Sequence, residues 1–125
     1  MAQRRTVSSG SDYETLVGYS RAVRTGPYIA VAGTTAAGES AATQAREALR
    51  RIEIALQQAG ASLTDVVRTR IFVTDISLWQ EVGAVHAEVF GEIRPVTTMV
   101  EVSALIAPDL LVEIEVDAYL DPADA

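Results

Sequence analysis

Glu113, Glu115 and Asp117 stand at alternate positions in the run Leu-Leu-Val-Glu-Ile-Glu-Val-Asp-Ala-Tyr-Leu, and Tyr119 continues the spacing. Successive strand side chains leave opposite faces, so these four share one face while Val112, Ile114, Val116 and Ala118 share the other. A row of carboxylates can take up protons or pair with guanidinium groups. The chain offers such partners in two places: Arg68 and Arg70 share a face of the run 66–74, and Arg21 shares one with Tyr19 and Val23. Ion pairing of the rows, within one chain or between copies, is as open a reading as chemistry. Other chemistries are closed. There is no Cys, and all 10 basic residues are Arg. Thiolate nucleophiles, cysteine-ligated metals and Schiff-base lysines are excluded. The single histidine, His86, falls on the apolar stripe of a helix, where a half-buried, hydrogen-bonded ring is favoured over a catalytic base. One His with scattered carboxylates has no metal-ligand spacing, so neither a metal nor a cofactor is expected.

The length of 125 residues fits one domain, 1–125, with flexibility expected in the first and last few residues. A net charge of −7 is the wrong sign for a phosphate-backbone binder, which argues against a nucleic-acid partner. No apolar run approaches the roughly 20 residues of a membrane span, and Met-Ala-Gln-Arg-Arg lacks the apolar core of a signal peptide. A cytoplasmic protein is expected.

Those polar groups need elements to hold them. Residues 4–8 read as a short strand followed by a polar loop through Asp12. Tyr19–Val23 and Tyr28–Ala32 flank Arg-Thr-Gly-Pro and read as a hairpin. Gly33 to Gly38 is a small-residue loop without phosphate-cradle spacing. Ser40 to Ala59 carries apolar residues at three- and four-residue steps, with Ser40 as N-cap and Gly60 as a left-handed stop. Its outer face, Arg46 to Glu53, reads as solvated ion pairs. Val66–Thr74 is a strand. A second helix opens at Ser77 with Gln80 in a capping box, carries Trp79, Val82, His86, Val89 and Phe90 on one stripe, and closes at Gly91. Two further runs, either side of Pro108-Asp109, read as neighbouring strands. The order β, hairpin, α, β, α, β, β implies an α+β two-layer fold, a mixed sheet with two helices on one face. The second face then mixes Phe72, Tyr19, Val23, Met99 and Tyr119 with charges, which suits a wet interface.

Pro95 through Asp117 resembles the C-terminal signature of the RidA family, also called YjgF, the reactive-intermediate deaminases. The matching features are a Pro, a short polar run, Val-Glu-Val, a Pro-containing loop, then Val-Glu-Ile-Glu-Val. The likeness extends over nearly the whole chain. It implies a chorismate-mutase-like fold, a homotrimer, and a small-molecule cleft between neighbouring subunits.

The resemblance also implies site residues. Tyr19 matches the family's cleft tyrosine, Gly33 its backbone contact and Glu113 its last-strand glutamate, which positions or activates a water during enamine or imine hydrolysis. The family's carboxylate-binding Arg falls on Thr97, and its Cys position on Met99. A threonine hydroxyl cannot replace the two charge-assisted bonds of an Arg fork. Arg94 precedes Pro95 and does not occupy the anchor position. Arg21, on the face of Tyr19, is the better replacement for an anionic ligand. Three readings follow: an enamine or imine deaminase with an unusual substrate, a non-catalytic trimeric ligand-binding or regulatory protein, and an endoribonuclease. Acidic charge disfavours the last.

Overall fold

The computed structural model describes residues 3–121, so part of the flexibility expected at the two ends falls outside the described residues. Nine elements follow in order: β1 (Arg4–Val7), α1 (Asp12–Val17), β2 (Ala22–Thr25), β3 (Tyr28–Thr34), α2 (Ala41–Gln58), β4 (Val66–Val73), α3 (Trp79–Phe90), β5 (Val96–Glu101) and β6 (Val112–Tyr119). Single 3-10 turns, Leu63–Asp65 and Ile76–Leu78, precede β4 and α3. The six strands form one mixed sheet in the order β1-β2-β3-β6-β4-β5, with β4 and β5 parallel and the other neighbours antiparallel. Helices α2 and α3 cover one face, as the period-two and period-three patterns require.

The alternation in β6 places Val112, Ile114, Val116 and Ala118 in the core. They meet Ile29 and Val31 of β3, Ile71 and Val73 of β4, Leu49, Ile52 and Leu56 of α2, and Val82, Val85 and Phe90 of α3. Full burial of such side chains contributes about 1.5–3 kcal/mol each. The small residues Ala45, Ala48 and Ala55 let α2 lie close on the sheet. Ser40 caps α2 by accepting from Thr43 N at 3.1 Å, and Gly60 takes φ +90° just past its end. The last carbonyls of α2 are met from the sheet. Arg5 Nη2 donates to Gln58 O at 2.7 Å and Arg24 Nη1 to Ala59 O at 2.8 Å, two cations at the negative end of the helix dipole.

Several expectations are corrected. The last two strands are not neighbours, because β5 pairs in parallel with β4 and β6 enters between β3 and β4. Residues 12–17 are helical, so Asp12 opens a helix where the end of a loop was expected: Ser11 caps α1 by accepting from Tyr13 N, and Gly18, at φ +87°, ends it. The hairpin accordingly begins at Ala22. Asp75, not Ser77, caps the turn before α3, accepting from Ser77 N at 2.9 Å. Trp79 is 55% exposed and stands off the stripe. A register shift at the start of β4 turns Val66 into the core, where strict alternation would set it on the face of Arg68 and Arg70. Met99 lies beside buried Ile71 and packs partly on the core, away from the open face to which it was assigned.

Candidate functional site

The open face of the sheet carries the carboxylate row. Arg68 lies 3.7 Å from Asp117, and Arg70 lies 3.4 Å from Asp117 and 3.7 Å from Glu115, so the two charged rows pair within one chain. Tyr28 also donates to Asp117, at 3.0 Å. Glu113 takes a different position. It is half-buried opposite Phe72 of β4, with its carboxylate packed against Gly33 of β3.

The backbone explains that packing. Between Val31 and Thr34 the register of β3 shifts, so that Ala32 and Gly33 together oppose the single residue Glu115. This is a bulge, which re-aims side chains at the end of a ladder. A Cβ at Gly33 would overlap the Glu113 carboxylate, so glycine lets the carboxylate keep this position. Burial, then the nearby Glu115 charge, raises the Glu113 pKa above the ordinary 4.5, with Arg21 pulling the other way.

Arg21 is held by uncharged acceptors. Its Nη1 donates to Gly33 O and Thr34 Oγ1, each at 3.0 Å, and its Nη2 donates to Tyr19 OH at 3.3 Å. The guanidinium carbon stands 5.7 Å from the Tyr19 ring centroid, a cation–π arrangement. Helix α1 sets the position of Tyr19, whose backbone N–H joins Gly18 N in donating to Glu14 O. Glu14 in turn accepts from Ser9 N at 2.9 Å and Ser9 Oγ at 2.6 Å, bonds that lower its pKa and pin the loop 8–11.

Tyr19, Arg21, Gly33 and Glu113 thus line one cleft of about 740 Å³, shared with Ser9, Tyr13, Val17, Arg51, Ile54 and Ile106. A shallower cleft of about 470 Å³ on the helical layer is lined by Arg46, Glu47 and Arg50 and holds none of these groups. The Ser8–Ser11 and α1 wall and Ile106 are not foreshadowed by any motif in the chain. Arg51 belonged, on helical spacing, to a solvated face.

Thr97, Met99 and Arg94 lie elsewhere, across β4 at the β5 edge. Thr97 is exposed, yet its hydroxyl is engaged on the helix side. It sits 2.8 Å from Thr69 Oγ1, which lies 2.9 Å from His86 Nε2. His86 is half-buried against Phe90, and burial lowers its pKa. Arg94 turns back on the end of α3: its N donates to Phe90 O at 2.8 Å and its Nε to Gly91 O at 3.0 Å, with φ +53°. Among the described residues no group of three or more His, Asp or Glu is placed to hold a metal ion, and no helix is long and apolar enough to cross a membrane.

Residues 10–120 match the family model described as endoribonuclease L-PSP. The fold is similar to a solved Mycobacterium tuberculosis member of the YjgF/YER057c/UK114 family, at 71% identity and TM-score 0.93, covering 94% of this chain and 100% of that one. A RutC family protein of Pyrococcus abyssi is 37% identical over 109 residues, 81% of this chain and 85% of its own. The 3-aminoacrylate deaminase RutC of Acinetobacter baylyi is 40% identical over 80 residues, 64% of this chain and 63% of its own.

Proposed function

The chain belongs to the endoribonuclease L-PSP family, the YjgF or RidA family, and from that premise we propose that it is an enamine or imine deaminase acting on a small molecule. The observation that carries this reading is the Glu113 carboxylate, half-buried against Gly33 in the cleft that Tyr19 also lines. A carboxyl whose pKa is raised by burial is a better proton acceptor near neutral pH than an exposed one. Glu113 would hold a water and take its proton as the oxygen adds to the imine carbon. That proton would pass to nitrogen to give a carbinolamine, and Glu113 would then move the carbinolamine hydroxyl proton to nitrogen as the C=O bond forms and the C–N bond breaks, giving a carbonyl compound and ammonia. Tyr19 would orient the substrate by hydrogen bonding.

We further propose a cytoplasmic homotrimer in which the β5 edge of a neighbouring copy, with Thr97 and Met99, completes the cleft. The partial likeness to a 3-aminoacrylate deaminase supports the reaction type. Thr97 argues against ordinary α-amino-acid imines as substrates, since it cannot offer a carboxylate the fork of an arginine. A second reading, a non-catalytic ligand-binding protein of the same family, is favoured by the Thr97 hydroxyl being already committed to Thr69.

The test follows ammonia release from a panel of imines with and without a carboxylate, those of α-amino acids being generated by an amino-acid oxidase. Hydrolysis of at least one imine faster than the uncatalysed rate, and lost in Glu113→Gln, is the expected result. No acceleration of any imine, or equal rates for wild type and Glu113→Gln, would leave only the binding reading.

A further inference from the structure

Two guanidinium groups of the cleft are tied to adjoining residues of one segment. Arg21 Nη1 donates to Gly33 O and Thr34 Oγ1, and Arg51 Nη1, from α2, donates to Thr35 O at 3.1 Å. Both line the same cleft, and Glu113 is the one carboxylate among its described lining residues. In a chain of net charge −7, this cleft is lined by two cations and a carboxyl that burial shifts toward its neutral form.

Neither cation is fully committed. Arg51 Nε stands 3.8 Å from Glu47, but Glu47 gives its closest contact, 2.6 Å, to Arg50, so one carboxylate serves two guanidiniums. The hydrogen-bond acceptors of Arg21 are all uncharged. Glu14, the acidic group behind the loop, has its Oε2 occupied by Ser9. A guanidinium has about five N–H donors; Arg21 makes three of the bonds described and Arg51 one, so each side chain keeps donors for a ligand. Around the mouth, Tyr13, Val17, Ile54 and Ile106 are exposed by 48%, 70%, 38% and 61%. Apolar side chains in such a group, rimmed by cations, mark a surface that a ligand covers.

We propose that the cleft takes an amphipathic carboxylate, with its anionic group on Arg51 and Arg21 and its apolar part against Ile54, Val17 and Ile106. This rests on the cleft of the proposed deaminase and extends it, assigning Arg51 as an anion-binding residue and the substrate as an anion whose charge is not read at Thr97. An anion received from α2 enters from a different side than one received from β5. The ligand is therefore chosen by the distance between its carboxylate and its reacting end.

The experiment titrates hexanoate and its uncharged isostere hexanamide into the wild-type protein and Arg51→Gln, by calorimetry. Arg51 is a surface residue of α2, so the variant folds, which circular dichroism checks. Hexanoate is expected to bind, and to bind roughly tenfold or more tighter than hexanamide, with that advantage lost in Arg51→Gln, as expected for a charge-assisted pair. Equal binding of the two compounds, retention of hexanoate affinity in Arg51→Gln, or no hexanoate binding would each overturn the proposal. Failure here is distinct from failure of the deaminase reading. Imine hydrolysis dependent on Glu113 without hexanoate binding removes the anion site alone. Hexanoate bound through Arg51 without hydrolysis supports the site and removes the enzyme.

Discussion

The carboxylate of Glu113 occupies the space that a side chain at residue 33 would need. Gly33→Ala therefore forces the end of a flexible glutamate aside without displacing backbone. Its expected stability cost is small, about 1 kcal/mol or less by urea unfolding, while any Glu113-dependent hydrolysis falls sharply. Combined with Glu113→Gln, the two losses of activity should not add, because the residues share one contact. Full additivity would show that Gly33 acts independently of the carboxylate.

Two half-buried titratable groups predict opposite pH trends. Folding raises the Glu113 pKa above 4.5, so its contribution is complete below that value and is lost as pH rises through the raised one. Folding lowers the His86 pKa below 6.5, so its contribution is complete above 6.5 and is lost as pH falls through the lowered one. Glu113→Gln should therefore gain stability relative to wild type on going from about pH 4 to about pH 8, as the wild-type carboxyl ionises. His86→Gln should gain relative to wild type on going from about pH 8 to about pH 5. Urea midpoints of the three proteins at these values check both signs. Differences that do not vary with pH would mean that neither group is perturbed.

Gln44 is 1% exposed, with both ends of its amide in use. Its Nε2 donates to Gly38 O and Asp109 O, each at 3.0 Å, and its Oε1 accepts from Leu111 N at 2.8 Å. It thereby fastens α2 to two loops. Gln44→Leu, close in size, leaves three backbone groups without this partner and should cost about 2–4 kcal/mol. A change within about 0.5 kcal/mol would mean that water replaces the amide.

In the proposed trimer Thr97 faces the cleft of a neighbouring copy, and Thr97→Arg restores the fork. Hydrolysis of ordinary α-amino-acid imines should then rise roughly tenfold or more, in line with the worth of a charged hydrogen bond. Sedimentation equilibrium on the same samples should report a trimer. A wild-type monomer at micromolar concentration, or an unchanged rate in a trimeric variant, contradicts this arrangement of the site.

The core of β6 was legible because alternate burial leaves a period-two record in side-chain polarity, and α2 because its apolar and small residues recur at helical steps. Strand adjacency was not legible. Nothing in the runs around Met99 and Ile114 states that β4 separates them, since that order follows from how α3 carries the chain over the sheet. Tyr19, Gly33 and Glu113, which line one cleft, are singled out by motif likeness, and Arg21 by its spacing from Tyr19. Arg51 escaped because a surface arginine and a cleft arginine occupy identical helical positions, and only the fold of residues 33–35 distinguishes them. The α1 wall was missed because six residues are too few to display a helical period.

The central position of β6 has a consequence for how the molecule is made. This strand is the last of the six described, yet it supplies the seam between β1-β2-β3 on one side and β4-β5 on the other. Until β6 joins, the strands can form no more than two partial sheets, each with an unpaired inner edge. Those edges are open to the wrong partner until β6 joins them. By the same geometry a separate peptide spanning 112–120 should join the two partial sheets of a chain cut within the 102–111 loop.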